Sequence, residues 1–196
     1  MRLNKTNKRI PLKKRLKTSE DLLSEICSSN RHINAEVLEH VLSLAIEIAR
    51  EGREGKKIGT MFIISDSYDV LEQSWCLILD PLLGHPADKK NIGDYNMRET
   101  IKELAQLDGA FIVSCDGVVI SACRYINASA EGVNLPLGLG SRHMAAASIT
   151  KHTDALAVVV SESAVVRIFD GGKIVGETIP ELSFELRTIM GMCMDQ

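Results

Sequence analysis

Apolar residues recur every three to four positions in several stretches of the chain, which is the spacing of an amphipathic helix. The longest stretch runs from Asn34, a suitable N-cap, to Arg50, and Gly52 and Gly55 favour a helix end there. The pattern predicts further helices at Ser19 to Ser29, from Asp94 or Asn96 to Leu107, at Ser141 to His152 and, after Pro180, at Glu181 to Met190.

Short apolar runs rich in β-branched residues predict buried strands between these helices. The clearest are Ile58 to Ser65 (IGTMFIIS) and Ala155 to Val160 (ALAVVV). A shorter strand is predicted at Trp75 to Leu79, and the composition of residues 84–93 and 126–139 is typical of loops.

Two further pairs of apolar runs predict β-hairpins. Ala110 to Cys115 and Val118 to Cys123 flank Asp116-Gly117, a dipeptide that favours a two-residue type I′ turn. The second hairpin joins Val165 to Phe169 with Lys173 to Glu177. Helices that alternate with strands and hairpins predict a single α/β domain with a central mixed β-sheet flanked by helices on both faces.

Length and composition limit the class of protein. A chain of 196 residues is long enough for one well-buried core, and its low aromatic content of 4% does not favour base stacking on aromatic platforms. No apolar run approaches the 18 to 20 residues, roughly, that span a bilayer. The first residues are basic and polar without an apolar run behind them, so we expect no secretory signal and a cytoplasmic protein.

The cysteines do not form a metal-binding pattern. There are five, scattered along the chain without a CxxC pair or a histidine cluster at ligand spacing. We therefore expect reduced thiols that pack as small apolar side chains, and no zinc site.

Charge is distributed unevenly along the chain. The net charge is −3, but eight Lys and Arg and no acidic residue lie in residues 1–17, so the rest of the chain is acidic. We therefore divide the chain into a basic arm, residues 1–18, and one domain, residues 19–196. The acidic domain does not favour nucleic-acid binding. The arm is compatible with a mobile, solvated tail and with contact to nucleic acid or anionic lipid.

The first of three unusual polar stretches is Asp108-Gly109-Ala110, between a predicted helix and a predicted strand. A carboxylate at a strand edge can hold a divalent metal or orient a hydroxyl, and a glycine lets a ligand approach the backbone. An ordinary turn after a helix has the same sequence character, so the tripeptide alone leaves both interpretations open.

The second stretch is Leu137 to Ala147 (LGLGSRHMAAA), where a glycine-containing loop enters a helix at Gly140 and Ser141. The free N–H groups of a first helical turn form an anion site, and Arg142 and His143 add side-chain donors for phosphate. The alternative is that both side chains are solvated on that turn without a ligand.

The third stretch, Ser161-Glu162-Ser163, directly follows the ALAVVV strand. Ligands of open α/β sheets collect just beyond the carboxyl ends of buried strands. An ordinary turn would again look similar.

Together and in this order, the three stretches resemble the diadenylate cyclase (DAC) domain family, which is marked by a DGA motif and an RHR motif. The resemblance spans roughly Leu38 to Pro180. Two positions depart from the family pattern: Met144 stands where the motif has its second arginine, and Ser141 where threonine is common. Serine keeps the hydroxyl group, whereas methionine removes a planar group with several donors.

The resemblance implies that two ATP molecules are condensed into cyclic di-AMP, with release of two pyrophosphates, by two subunits that face each other across a two-fold axis. It implies catalytic roles for Asp108, Arg142 and His143, and a Mg²⁺ or Mn²⁺ ion bound by Asp108 and Glu162. The implied substrate-binding residues are Gly109, Ala110, Leu135, Gly140, Ser141, Arg142, His143, Ser161 and Glu162, with Leu135 as a wall of the adenine pocket.

Two other classes of protein remain as alternatives. A catalytically weak or inactive nucleotide-binding sensor with the same fold would explain Met144. A nucleic-acid-associated protein would bind through the basic arm and use the domain only for dimerisation.

Overall fold

The computed structural model describes residues 33–66, 68–129 and 131–180. The basic arm and the helices predicted at 19–29 and 181–190 lie outside these residues. Within the described ranges no helix is both long and apolar enough to cross a membrane. The cytoplasmic location stays a prediction.

Two of the described helices begin where the sequence provides a side-chain cap. The helices are α1 (Ala35–Glu51), α2 (Tyr68–Glu72), α3 (Tyr95–Leu104) and α4 (Ser141–His152), with a 3₁₀ helix at Ala87–Lys89. The Asn34 side chain accepts a hydrogen bond of 3.0 Å from the backbone N–H of Glu36, and Asp94, not Asn96, caps α3 through the N–H of Met97 at 3.0 Å. The predicted start of α1 and both ends of α4 are confirmed, whereas α3 ends three residues before Leu107.

The strands form one mixed sheet. They are β1 (Thr60–Ile64), β2 (Ser74–Cys76), β3 (Ala110–Val113), β4 (Val119–Ile126), β5 (Leu156–Val160), β6 (Val166–Asp170) and β7 (Lys173–Thr178). Their order across the sheet is β2-β4-β3-β1-β5-β6-β7. Only the β1–β3 pair is parallel among these neighbours. The predicted mixed sheet is confirmed.

Helices cover both faces of the sheet, as predicted. In β1, Phe62 and Ile64 point to the core beneath α1 and α3, while Met61 and Ile63 point to the core beneath α2 and α4. The central strands β1, β3 and β5 are buried along their whole length. This explains why they appear in the sequence as unbroken apolar runs instead of alternating ones.

Two elements near the sheet edge differ from the prediction. Helix α2 was not predicted, and the strand predicted at Trp75 to Leu79 is only Ser74–Cys76. The chain turns away after Leu77 because the Asp80 carboxylate accepts hydrogen bonds from the Ser121 hydroxyl at 2.7 Å and the Ala122 N–H at 3.1 Å. These contacts hold the following loop against β4 instead of extending the edge strand.

The β3–β4 hairpin has a different turn from the one predicted. A type I′ turn needs a positive φ at both central residues, but only Gly117 has one, at +92°, and Asp116 does not. The Gly117 N–H donates to the Ser114 carbonyl at 3.0 Å, and the Cys115 N–H donates to the Asp66 carboxylate at 2.7 Å. The hairpin is therefore closed by a three-residue loop that a distant carboxylate helps to hold. Strand β4 also continues to Ile126, into the predicted loop.

Candidate functional site

The three polar stretches meet at the side chain of Arg142. Its guanidinium donates to Asp108 Oδ1 at 3.0 Å through Nη2 and to Glu162 Oε1 at 3.2 Å through Nη1. The two carboxylate side chains are 75% and 70% exposed, whereas that of Arg142 is 32% exposed. The structure thus brings residues 34 and 20 positions apart in the sequence into one charged cluster.

The strand directions explain why these residues meet. Ala110 in β3 lies beside Met61, and Val160 in β5 lies beside Thr60, so the start of β3, the start of β1 and the end of β5 share one end of the sheet. Asp108 lies two residues before the first residue of β3, and Glu162 lies two residues after the last residue of β5. Helix α4 begins at the same end with Gly140 as its N-cap, which has no side chain to cap the first N–H groups.

Gly59 makes room for this cluster and was not predicted as a site residue. A Cβ atom at this position would lie 2.6 Å from Arg142 Nη1 and 3.2 Å from Glu162 Cγ. Any larger residue would therefore displace the Arg142–Glu162 pair. The one signal in the sequence is a glycine at the entry of an otherwise bulky strand, IGTMFIIS.

The structure explains why residue 109 is a glycine, and the sequence alone did not reveal this reason. Its φ is +109°, and a Cβ atom there would lie 2.7 Å from the carbonyl carbon of Cys123 and 2.8 Å from the nitrogen of Arg124. Strand β4 has an irregular register at this point, and Cys123 itself has a φ of +53°. The glycine is therefore required by the close approach of two backbones, whatever it does toward a ligand.

His143 is buried, with 6% of the residue exposed. Its Nε2 lies 3.1 Å from Nη1 of Arg167, which in turn donates from Nε to Glu177 at 2.6 Å. A guanidinium can only donate, so His143 Nε2 accepts this bond and the ring proton is on Nδ1. Burial lowers the pKa of His143, and the guanidiniums of Arg167 and Arg142 lower it further, opposed in part by Glu177. The imidazole is neutral at neutral pH.

Arg167 is a second residue that the sequence reasoning missed. It lies in β6 between Val166 and Ile168, which point into the core beneath α1, so it shares the opposite face with the buried Phe169. Strand residues two apart point to the same face, so the sequence could have indicated that Arg167 lies on the same face as the buried Phe169.

Grooves on three sides of Arg142 surround the cluster. The apolar groove has a volume of about 190 Å³ and the polar groove about 480 Å³. A third groove of about 300 Å³ is bordered by Arg53, Lys56 and Lys57. The apolar groove is lined mainly by Met61, Leu77, Ala110, Ile126, Met144 and Ala145, with Asp108 and Arg142 at its edge. The polar groove is lined by residues 138–143, 160–163 and 167.

These grooves separate the predicted site residues. Gly140, His143 and Ser161 line the polar groove, Gly109 and Ala110 line the apolar groove, and Ser141 and Arg142 line both. Leu135 lines none of the three grooves; it is partly buried against the core beneath α4. Met61, Ala110 and Ile126 of the apolar groove belong to the same core cluster, so the role of Leu135 in the adenine pocket stays a prediction.

Met144 lies on the apolar side of helix α4. It borders the apolar groove together with Ala145, whereas His143 borders the polar groove. Position 144 therefore borders the apolar groove in this structure, while Ser141 and Arg142 border both grooves.

The donor set fits a divalent ion that is shared with a bound phosphate. Asp108 and Glu162 offer exposed carboxylate oxygens on either side of Arg142. In the part of the chain that the structure describes, no three or more His, Cys, Asp or Glu side chains form a metal-binding group. Mg²⁺ is commonly held by one or two carboxylates and completed by substrate phosphates. The residues present match that arrangement and not a closed protein cage.

A protein-family model matches most of this chain. The model of the DAC family, described as "DisA bacterial checkpoint controller nucleotide-binding", matches residues 47–174. The matched segment contains every residue of the cluster and of the grooves that border it.

Two curated relatives are named diadenylate cyclase. The one from Methanocaldococcus jannaschii is 51% identical over 144 residues, which cover 73% of this chain and 45% of that protein. The one from Haloferax volcanii is 40% identical over 172 residues, which cover 85% of this chain and 62% of that protein. The chain thus matches less than two thirds of the length of either relative.

A solved structure has a similar fold. It is a hypothetical membrane spanning protein from Bacillus cereus, with a TM-score of 0.52 and 17% sequence identity, and the similarity covers 71% of this chain and 62% of that one. At this identity the likeness concerns the fold alone.

Proposed function

Because this chain belongs to the DAC domain family of diadenylate cyclases, we propose that it condenses two ATP molecules into cyclic di-AMP. The observation that carries the proposal is the meeting of Asp108, Arg142 and Glu162 at one end of the sheet. A guanidinium and two exposed carboxylates, next to a polar and an apolar groove, form a site suited to a nucleotide with its phosphates.

In the proposed reaction, the 3′-hydroxyl oxygen of each ATP attacks the α-phosphorus of the other. A new bond forms between the hydroxyl oxygen and the α-phosphorus, and the hydroxyl proton is lost. The bond between the α-phosphorus and the oxygen that bridges it to the β-phosphate breaks, and pyrophosphate leaves with the electron pair of that bond. Two such steps close the ring and release two pyrophosphates. Little covalent chemistry is required of the protein, so positioning supplies most of the catalysis.

We assign the phosphates to the polar groove and the adenine to the apolar groove. Arg142 and the Ser161 hydroxyl border the polar groove, and the uncapped N–H groups at the start of α4 add donors. The apolar groove offers aliphatic side chains such as Met61 and Ile126, with Tyr125 also in its lining. Leu135, expected from the resemblance to be a wall of the adenine pocket, packs against the core cluster to which Met61 and Ile126 also belong.

Asp108 and Glu162 are proposed to hold Mg²⁺ or Mn²⁺ together with the phosphates. When bound, such an ion neutralises charge that builds on the departing pyrophosphate. Each carboxylate is paired with Arg142, and phosphate binding would give that guanidinium a third anionic partner. Asp108 is also proposed to orient the attacking hydroxyl.

His143 is proposed to act as a neutral donor and not as a base. Its Nε2 already accepts a hydrogen bond from Arg167, and burial among two guanidiniums disfavours a second proton. The ring can still donate from Nδ1. The predicted catalytic role of His143 is thereby narrowed to orientation and charge stabilisation.

Self-association is the part of the proposal that the reaction itself demands, because one chain offers one set of grooves for two ATP molecules. Ile78, which follows the groove residue Leu77, is 94% exposed, and Leu83 is 80% exposed. Trp75 stacks on Tyr125 in the same area, with ring centroids 4.8 Å apart. Exposed apolar patches of this kind mark contact surfaces, and we assign this one to a second copy of the chain.

An Ile78→Asp/Leu83→Asp variant tests that surface. It should remain folded, because both side chains are exposed, and it should shift sedimentation toward the monomer with loss of product formation. A variant that sediments and reacts like the wild type would rule out this contact face.

The enzymatic activity is tested by incubating the purified chain with ATP and Mg²⁺ or Mn²⁺ and identifying the product by mass spectrometry. We expect cyclic di-AMP with two pyrophosphates per product, and at least a hundredfold loss, about 2.7 kcal/mol, in Arg142→Ala. Arg50→Ala is the matched control, because Arg50 is exposed and, among the described residues, its side chain pairs with neighbouring Glu51 at 3.3 Å. Nucleotide binding without any product would favour the sensor hypothesis.

A further inference from the structure

We propose that Arg167 is a second arginine of the polyphosphate site, supplied by strand β6 and not by helix α4. The inference rests on the proposed function, since it names a further binding residue of the same groove. Arg167 stands 25 residues after Arg142 in the sequence and belongs to neither motif by which the family was identified.

Arg167 is well positioned to meet an anion in the polar groove. Arg167 lines the polar groove together with Arg142, Ser161 and Ser163, although only 15% of its side chain is exposed. A buried guanidinium that borders a polar groove is costly unless anions compensate its charge. Among the residues that the structure describes, Arg167 has one carboxylate within ion-pair distance, Glu177, which lies opposite it on β7.

The hydrogen bonds of the Arg167 guanidinium hold it in place without using all of its donors. The Nε–H of Arg167 is used by Glu177 at 2.6 Å, and Nη1 is used by His143 at 3.1 Å. A guanidinium has five N–H donors, so these two contacts fix its plane and leave further donors for an anion. Anchoring by a carboxylate and a ring reduces the rotamer entropy lost when a ligand binds.

The charge of the cluster at Arg142 is already compensated by its own carboxylates. Arg142 is shared by two carboxylates, Asp108 and Glu162, so this part of the site does not carry an excess of positive charge. Met144 adds none, because it borders the apolar groove. Arg167 is therefore the second guanidinium that the polar groove offers to a polyphosphate among the residues that line it.

The test is a set of binding measurements by calorimetry with three probes: 3′-deoxy-ATP, which cannot be cyclised, inorganic triphosphate, and adenosine. We expect Arg167→Ala to weaken the binding of 3′-deoxy-ATP and of inorganic triphosphate at least about tenfold, 1.4 kcal/mol. The affinity for adenosine should change by less than twofold. Arg167→Lys should lie in between, since lysine keeps the charge but not the planar donors. Arg50→Ala should leave all three unchanged.

Equal weakening of adenosine and the phosphate-bearing probes would overturn the proposal, since it would mean a purely structural effect. Unchanged triphosphate affinity would overturn it as well. If Arg167→Ala does not fold, judged by circular dichroism, Arg167→Gln and Arg167→Lys decide the question with the same probes. Should the wild type bind inorganic triphosphate through Arg167 but not 3′-deoxy-ATP, the nucleotide function fails while the anion site stands.

Discussion

The charged cluster at Arg142 differs from a second charged cluster, between α1 and α3, in exposure and in charge balance. In the second cluster, which we call the brace, Glu47 binds Arg98 at 2.6 Å and Lys102 at 2.9 Å, and Lys102 also binds Glu99 at 2.8 Å. The brace cations are only 13% and 10% exposed, whereas the carboxylates at Arg142 are 75% and 70% exposed.

The difference separates a stabilising network from a binding site. In the brace, each buried cation is satisfied by carboxylates of the protein itself, so the cluster ties two helices together. At Arg142, two exposed carboxylates share one guanidinium and keep oxygen lone pairs open to solvent. Those atoms can exchange partners when a phosphate or a cation arrives. We therefore expect substitutions at Arg142 to affect activity and those in the brace to affect stability.

The largest expected effect is that of Asp108→Asn. The change removes one carboxylate charge but little volume, so cyclic di-AMP formation should fall at least about a thousandfold, 4 kcal/mol. The thermal midpoint should stay within about 2 °C because the side chain is exposed. Enzyme assays and thermal unfolding of the same preparation provide the comparison. Turnover near that of the wild type would remove Asp108 from the site.

Lys102→Met should produce the opposite pattern. It leaves Glu47 and Glu99 without their shared cation in a covered position, and we expect the free energy of unfolding to fall by about 2 kcal/mol. Activity per folded molecule should not change. Denaturant unfolding measures the first quantity and active-site-normalised rates the second. A loss of activity without a loss of stability would show that the two clusters are coupled.

Met144→Arg should have a smaller effect on activity. Position 144 borders the apolar groove, so an arginine there does not join Arg142 and His143 at the polar groove. We expect kcat/KM to change by no more than about tenfold, 1.4 kcal/mol. A hundredfold rise would mean that this chain is a weakened cyclase, which would favour the sensor hypothesis.

Acid should weaken the brace slightly before it affects the rest of the fold. Burial alone would raise the pKa of Glu47, but the hydrogen bonds and charges of Lys102 and Arg98 outweigh it, and the pKa is lowered. A lowered folded pKa stabilises the protein above the unfolded value, and this contribution is lost as pH falls below about 4.3.

We expect this contribution to be about 1 kcal/mol or less. It is measured as the slope of the unfolding free energy between about pH 5 and pH 3. Glu47→Gln should flatten that slope. An unchanged slope in this variant would mean that Glu47 titrates alike in the folded and unfolded states.

The sequence predicted the elements whose signals are local. Helix α4 and strand β1 follow from the residues within them, and the three polar stretches were correctly expected to lie at ends of elements. What it could not supply are contacts set by distant parts of the chain. The β3–β4 turn depends on Asp66, 49 residues from Cys115. Gly59 is needed because the Arg142 side chain packs against it. Arg167 joins the site through its contact with His143, which comes from a different element of the fold.

The central claim is that two chains together join two ATP molecules. The direct measurement is the rate of cyclic di-AMP formation per chain, followed by mass spectrometry across a dilution series, with sedimentation at the same concentrations. We predict that the specific activity falls on dilution as the dimer dissociates. Specific activity that stays constant while sedimentation shows only monomer, or the absence of cyclic di-AMP at every concentration, would contradict the account.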